Sequence, residues 1–214
     1  MSDPLPLALY QDTAFTDVII KCKDGKEIKA HKAILAIRSP YFKALFSGKW
    51  AETCDCILET DANSVIMQHL LKCIYTGNKP ILCNHTYTQQ IHLWELSMYY
   101  QIPDLTAVME KECIEGITTE NVIELLQVVE RFPNKKGMKE GCFNFIGVHA
   151  KELLGNPAIV QFAASHPKMW KEVGAHMKNP NTTNLQCITE DLSLDEKSIK
   201  FPKLHKIKKM KKRK

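Results

Sequence analysis

The chain has 214 residues, of which 44% are hydrophobic and 25% charged, and its formal net charge is +5. These values are ordinary for a globular protein of one or two small domains. Residues 203–214 contain eight Lys or Arg and no acid, so subtracting those eight charges leaves −3 on residues 1–202. This asymmetry argues against a nucleic-acid-binding globular surface. No apolar run approaches the roughly 18 residues that span a bilayer, so we expect no membrane segment.

The compartment is predicted from the first residues and from the cysteines. The opening sequence, MSDPLPLALY, lacks the basic start and long apolar core of a signal peptide. We therefore expect the protein in the nucleus and cytoplasm. In these reducing compartments its eight cysteines should be free thiols.

The first predicted elements are two short strands joined by a tight turn. Apolar residues alternate with lysines over residues 18–23, which is the period of a strand with one buried face. Asp24-Gly25 favours a type I′ turn, because glycine adopts the positive φ that this turn requires. Ile28 and Ala30 continue the apolar face on the return strand, so we expect an antiparallel hairpin.

Two short helices are predicted directly after the hairpin. The first covers residues 31–38. Ser39 and Pro40 predict the start of the second, because serine is a good N-cap and proline fits the first helical position. Its predicted buried face consists of Tyr41, Phe42, Leu45 and Phe46.

Three consecutive motifs in this region resemble the core signature of the BTB/POZ domain family. They are Phe15-x-Asp17-Val18, Ala30-His31-Lys32-x-x-Leu35-Ala36 and Ser39-x-Tyr41-Phe42-x-x-Leu45-Phe46. Many matching positions in one order are a stronger signal than any single short motif. The resemblance implies an α+β fold with a small mixed sheet and helical hairpins. It also implies a protein-interaction domain that is usually dimeric and has no catalytic activity.

Further elements are predicted from apolar spacing along residues 56–113. Residues 56–58 are typical of a short strand. Asp61 or Asn63 is predicted to cap a helix that carries apolar residues from Val65 to Ile74. Two more helices are predicted at residues 87–100 and 105–113.

A second helical region is predicted after residue 113. Thr118 is the predicted N-cap of a helix with an apolar stripe over residues 122–129, and another helix is predicted at 142–149. The region resembles the start of the BACK domain that follows the BTB domain in kelch-type and speckle-type adaptors. His166-Pro167 resembles the end of its shortened form in speckle-type proteins.

These patterns together predict a modular chain with a polar, unpatterned linker before its basic end. The predicted parts are an N-terminal segment at 1–14, a BTB/POZ domain at 15–112, a short all-α BACK-like extension at 113–178, a linker at 179–202 and a disordered basic tail at 203–214.

The resemblance also implies a dimer seam. In the family, the acidic residue at Asp17 and the basic residue at Lys32 form a charged pocket near this seam. Leu7 and Leu9 of the N-terminal segment are predicted to contribute to it. The segment has room for only about two helical turns, whereas many dimeric members exchange a longer helix. The alternative is that Asp17 and Lys32 are half-exposed and paired locally.

The triplet Trp50-Ala51-Glu52 resembles the hydrophobic-x-Glu motif of BTB proteins that bind cullin-3. An exposed tryptophan often marks a contact, and Glu52 would meet a basic group on the partner. The alternative is that Trp50 packs on its own core and Glu52 is a solvated charge. The residues predicted for the cullin-3 contact are Phe42, Leu45, Phe46, Trp50, Glu52, Tyr75 and Met98.

No residue pattern predicts catalysis, a cofactor or a metal. His31 and Ser39 have no acidic residue beside them that would complete a triad, and His31 is predicted to be a hydrogen-bonded structural residue. Cys54-x-Cys56 is a single pair, whereas structural zinc needs four ligands. We therefore expect core thiols, no catalytic residue, no small-molecule substrate and no metal ligand.

The basic cluster fits a nuclear localisation signal. Binding to an anionic membrane surface or RNA, or a solvated segment, are the alternatives. The residues predicted for the signal are Lys208, Lys209, Lys211, Lys212, Arg213 and Lys214.

The predicted function is that of an adaptor that links a substrate or partner protein to a cullin-3 ubiquitin ligase. Expected partners are cullin-3, a second copy or another BTB protein, and a substrate that the sequence does not identify. The alternative is an oligomerisation or transcriptional scaffold that does not bind cullin.

Overall fold

A computed structural model describes residues 4–47, 56–77, 85–153, 156–177 and 207–209. The chain divides into two compact units, Met1–Met109 with Phe201–Lys214, and Glu110–Lys200. Within the described ranges, no helix has both the length and the apolar content needed to cross a membrane.

The first unit contains a mixed four-stranded sheet in the order β2-β1-β3-β4. Strand β1 pairs antiparallel with β2 and parallel with β3, and β3 pairs antiparallel with β4. The predicted hairpin is confirmed, and Gly25 in its turn has φ 80°. The predicted type I′ turn is wrong, because Asp24 does not have the positive φ that this turn requires. The Gly25 N–H instead donates to the Cys22 carbonyl, so the turn is centred on Lys23 and Asp24 and is followed by the left-handed glycine. The strands are β1 Val18–Lys21, β2 Glu27–Ala30, β3 Cys56–Glu59 and β4 Ile207–Lys209.

Helices make up most of the rest of both units, and α6 begins in the first unit and ends in the second. Those before α7 are α1 Pro4–Gln11, α2 Lys32–Arg38, α3 Pro40–Phe46, α4 Ser64–Thr76, α5 Tyr87–Tyr99 and α6 Pro103–Glu115. Those of the second unit are α7 Val122–Val129, α8 Lys136–Val148, α9 Ala150–Leu153, α10 Pro157–Ser165 and α11 Pro167–Met177.

Short polar side chains fix the starts of several of these helices. Ser39 caps α3 by accepting a hydrogen bond from the Phe42 N–H, and Asn63 caps α4 in the same way. Thr86 and Gln89 form a reciprocal capping box at α5. Each cap satisfies an N–H that has no partner inside its helix, which is commonly worth about 1 kcal/mol.

The core of the first unit lies between one face of the sheet and the helices. The sheet contributes Val18, Ile20, Ala30, Cys56 and Leu58, all at most 4% exposed. The helices contribute Leu35, Phe42, Ile66, Met67, Leu70, Leu71, Ile74 and Trp94, likewise buried. The alternation predicted for β1 therefore separates a buried face from a solvent-facing one.

The second unit has a separate helical core. The apolar stripe predicted for α7 is confirmed, since Val122, Leu125, Leu126 and Val129 are at most 1% exposed. The predicted N-cap Thr118 is wrong, because α7 begins at Val122 with Asn121 as its N-cap. Residues 119–121 form a turn instead, in which the Asn121 side chain accepts a hydrogen bond from the Thr118 N–H and donates one to the Gly116 carbonyl.

Strand β4 differs from the predicted disordered tail. Residues 207–209 pair with β3, far from them in the sequence. Alternation and turn residues report local structure, so they gave no signal for this pairing.

Gly77 ends α4 in the left-handed conformation, with φ 64°, and its N–H donates to the Cys73 carbonyl. A Cβ here would also meet the Arg38 guanidinium. We expect Gly77→Ala to lower the free energy of unfolding by about 1 kcal/mol, because alanine is strained at positive φ. Gly137→Ala in α8 is the control, since a Cβ there has no atom within 4 Å. Urea denaturation measures both, and equal losses would contradict the role assigned to the cap.

Candidate protein-interaction surface

The first unit has an apolar cleft beside strands β1 and β3. Its lining residues are Ile20, Tyr41, Phe42, Leu45, Leu58 and Tyr100. Two come from the sheet, three from α3 and one from the end of α5. The cleft is therefore built from separate parts of the sequence that meet only in the folded chain.

Contacts between aromatic rings form the wall of this cleft. Phe42 stacks on Tyr100 with ring centroids 4.8 Å apart and an interplanar angle of 12°. Tyr41 meets Tyr99 and Tyr100 at 5.3 and 5.4 Å. Such pairs contribute beyond the apolar area they bury, so the wall is well packed before any partner arrives.

Ser39 fixes the position of α3 against the end of α5. Its hydroxyl donates to the Tyr100 carbonyl at 2.5 Å and accepts from the Phe42 N–H at 3.1 Å. Ser39 is fully buried, so both hydrogen bonds are shielded from water. One side chain thus caps the helix and sets its register on the cleft.

Burial among the rings raises the pKa of the Tyr41 phenol far above its ordinary value. The hydrogen bond to Tyr99 raises the pKa further. Burial also raises the pKa of Tyr100, whose hydroxyl donates to Thr60 at 3.3 Å. Both phenols are therefore neutral at physiological pH, and none of the residues that line the cleft carries a charge.

The predicted cullin-3 residues are divided by their burial. Leu45 is half-buried and lines the cleft. Four others are buried and pack inside the unit: Phe42, Phe46, Tyr75 and Met98. Trp50 and Glu52 lie outside the described residues. Of these residues, Phe42 and Leu45 line the cleft, and Leu45 is the more exposed of the two.

The predicted seam residues Asp17 and Lys32 meet within one chain. The Asp17 carboxylate accepts a hydrogen bond from the Lys32 backbone N–H at 2.7 Å. This caps α2, whose own N-cap residue, His31, makes no side-chain cap. Lys32 is only 9% exposed. Its ammonium lies 5.9 Å from the centre of the Phe46 ring.

Three apolar side chains near the start of the chain remain exposed. Leu7 and Leu9 are both 39% exposed, and Phe15 is 96% exposed. Phe15 also has a left-handed backbone with φ 59°, which is uncommon for a bulky residue. The sequence identified Phe15 only as part of a motif, because a motif does not state whether a side chain faces the core or the solvent.

His31 is a structural residue, as predicted. One ring nitrogen, Nδ1, lies 2.7 Å from the Tyr75 hydroxyl, and the other, Nε2, lies 2.9 Å from the Ala14 carbonyl oxygen. The Tyr75 hydroxyl also accepts from the His31 backbone N–H at 2.9 Å. The ring thereby joins α4 to the turn that holds Phe15.

The cysteines of the described residues are buried free thiols: Cys22, Cys56, Cys73, Cys113 and Cys142. Burial raises the pKa of Cys22 and Cys73 to about 11 and that of Cys113 and Cys142 to about 12. They are therefore protonated and unreactive at neutral pH. Among the described side chains, no three metal-binding residues are grouped in a site.

Comparison with known families decides the identity of the fold. The model of the BTB/POZ domain family matches residues 7–117. The chain belongs to the BTB/POZ family. This range includes the sheet hairpin, the α2–α3 pair and the cleft, so the BTB domain carries the candidate surface.

Several proteins are similar in sequence. The mouse TD and POZ domain-containing proteins 2 and 4 are 28% and 29% identical over 165 residues, or 77% of this chain. This chain spans 44% of the length of either relative. Inhibitor of Bruton tyrosine kinase from Xenopus laevis is 30% identical over 148 residues, covering 64% of this chain and 10% of that protein.

Among solved structures, the BTB domain of zebrafish PATZ1 is similar at a TM-score of 0.42 and 20% identity. The match covers 52% of this chain and 86% of that one. BTB domains bind other proteins and commonly self-associate, so the BTB domain implies a protein–protein interaction function. Neither the family model nor the relatives indicate a family of enzymes.

Proposed function

We propose that this BTB protein is an adaptor that recruits a protein partner to a cullin-3 ubiquitin ligase. The observation that carries the proposal is the apolar cleft on the BTB domain, with Leu45 half-buried in its wall. The segment with Trp50-Ala51-Glu52 lies in the sequence between α3, which supplies three lining residues, and β3, which supplies Leu58. The motif is therefore flanked in the sequence by two elements that line the cleft.

The proposed mechanism is recruitment without chemistry on this chain. An apolar side chain of cullin-3 would pack against Leu45 at the mouth of the cleft, which is too narrow to admit even a water molecule, and this contact would bury apolar surface. Trp50 would add an aromatic anchor, and Glu52 a charge contact at the rim. Transfer of ubiquitin would then belong to the other subunits of the ligase.

The two other parts of the proposal concern the second unit and self-association. Helices α7 and α8 form a packed helical pair that we propose to be the start of a BACK-like extension.

We propose self-association through the exposed Phe15, Leu7 and Leu9. Burying these side chains against a second BTB domain would remove apolar surface from water.

The test is binding of the cullin-3 N-terminal domain to the full chain, measured by isothermal titration calorimetry. We expect Trp50→Ala/Glu52→Ala to weaken binding by about tenfold or more, because an aromatic anchor and a charge contact are lost together. Thr53→Ala, next to the motif, is the control and should bind like the unchanged protein. Tight binding that the double substitution leaves intact would refute the motif assignment.

A scaffold function is the second candidate, and the exposed Phe15 favours it independently of the cleft. A scaffold would recover a second copy or another BTB protein in affinity purification, without cullin-3. The adaptor would recover cullin-3 as well, so the same purification separates the two functions.

We propose that residues 203–214 carry a nuclear localisation signal. Support comes from the eight Lys or Arg residues in this segment, with no acid among them. Of the predicted residues, Lys208 and Lys209 lie in β4. The remaining four, Lys211, Lys212, Arg213 and Lys214, lie outside the described residues.

A further inference from the structure

Strand β3 presents the less protected edge of the sheet formed by β1, β2 and β3. At the opposite edge, β2 exposes the charged residues Glu27 and Lys29. In β3, by contrast, the sequence Cys-Ile-Leu-Glu has one charge, at its end, and no residue of it is exposed. Charges on an edge strand discourage pairing with another chain, so an edge without them is a template for strand addition.

The segment that pairs with this edge has a distinct chemistry. Residues 207–209, Ile-Lys-Lys, pair antiparallel with β3 and belong to the basic stretch of residues 203–214. The remaining 202 residues carry a net charge of −3, obtained by removing the eight basic charges from +5. Residues 1–109, which carry β3, contain eleven Asp or Glu and ten Lys or Arg, so overall charge contributes little and docking rests on main-chain pairing.

We propose that the outer edge of β3 is a docking site for an extended basic segment, and that residues 207–209 of the same chain are its resident occupant. The docked strand is next to the cleft, because Leu58 lines the cleft and faces Ile207 in the register. The site is thus a second interaction surface, and it recognises main chain in extended form rather than a side chain in a pocket.

The register identifies the residue on which docking depends. The N–H groups of Cys56 and Thr60 point to β1, where they donate to the Asp17 carbonyl at 3.5 Å and the Lys21 carbonyl at 2.9 Å. The direction of the N–H alternates along a strand, so the Ile57 N–H points to β4. Ile57 is opposite Lys208. These two residues therefore form the pair that exchanges backbone hydrogen bonds, and the neighbouring pairs do not.

This alternation provides a matched pair of proline variants in the full chain. Lys208→Pro removes the N–H that faces β3, whereas Lys209→Pro removes one that faces away and loses the same charge. The measurement is hydrogen exchange at the Ile57 amide. We expect Lys208→Pro to accelerate exchange there by about tenfold or more, and Lys209→Pro to change it by less than about twofold.

A peptide tests the chemistry of the site. A fluorescent peptide with the sequence of residues 203–214 should bind the Lys208→Pro protein, whose edge is open, more tightly than the unchanged protein. The same peptide with proline in place of Lys208 should not bind.

Several results would overturn the proposal. One is equal exchange at Ile57 in the unchanged protein and in Lys208→Pro. Another is equal acceleration of Ile57 exchange by Lys208→Pro and Lys209→Pro, which would show that the lost charge, and not the lost N–H, causes the change. Protection that disappears on dilution would assign the edge to a second copy rather than to the same chain. None of these readouts uses cullin-3, so docking stands or fails separately from the proposed function.

Discussion

Phe42→Ala should lower the free energy of unfolding by about 3–5 kcal/mol, the range typical of a buried phenylalanine. The Phe42 side chain is 1% exposed, stacks on Tyr100 at 4.8 Å and lies 5.8 Å from the Phe46 ring. Removing it opens a cavity between α3 and the end of α5, because the Ser39 hydrogen bonds hold these two elements in place and limit collapse.

The control is the same chemical change at an exposed position. Phe15 is 96% exposed, so Phe15→Ala should change the stability of the monomer by less than about 0.5 kcal/mol. Urea denaturation followed by tryptophan fluorescence measures both variants, since Trp94 is buried in the same unit. Equal stability losses at the two positions would contradict the packing described for the cleft wall.

The contrast between Phe42 and Leu45 shows where sequence reasoning about this site stops. Both lie on the apolar stripe of α3, and the stripe predicts the helix and its inward side. It does not distinguish a side chain inside the core from one on the wall of a cleft. That distinction depends on Ile20, Leu58 and Tyr100, which come from other elements. The fold was therefore more predictable than the contact surface.

The same reason accounts for the other differences. The hairpin and the caps at Ser39 and Asn63 follow from neighbouring residues, and the structure confirms them. The pairing of β4 with β3 joins residues about 150 positions apart, and no local pattern encodes such a contact. The charged pocket predicted for Asp17 and Lys32 at a dimer seam stays a prediction, but the hydrogen bond from the Lys32 N–H to Asp17 depends on the folded position of α2 and was not predicted.

Leu45→Asp should weaken binding of the cullin-3 N-terminal domain by about 100-fold, if the cleft is the contact that we propose. The Leu45 side chain is half-buried in the cleft wall, beside aromatic rings. A partner that covers the cleft would bury the carboxylate introduced at position 45. The neighbouring phenols of Tyr41 and Tyr100 are neutral, so they would supply no counter-charge. Desolvating an unpaired charge costs several kcal/mol, and about 2.8 kcal/mol corresponds to 100-fold in affinity.

Ala44→Asp is the matched control, since Ala44 is adjacent on α3 and exposed. It adds the same charge to the same helix, so long-range electrostatics affects both variants alike, and it should change affinity by less than about threefold. Thermal unfolding of both variants separates a binding effect from loss of the fold, and Leu45→Ser repeats the test without a charge. If Leu45→Asp folds and binds as tightly as Ala44→Asp, the cleft is not the cullin-3 contact. In that case the exposed Phe15 favours a BTB scaffold instead.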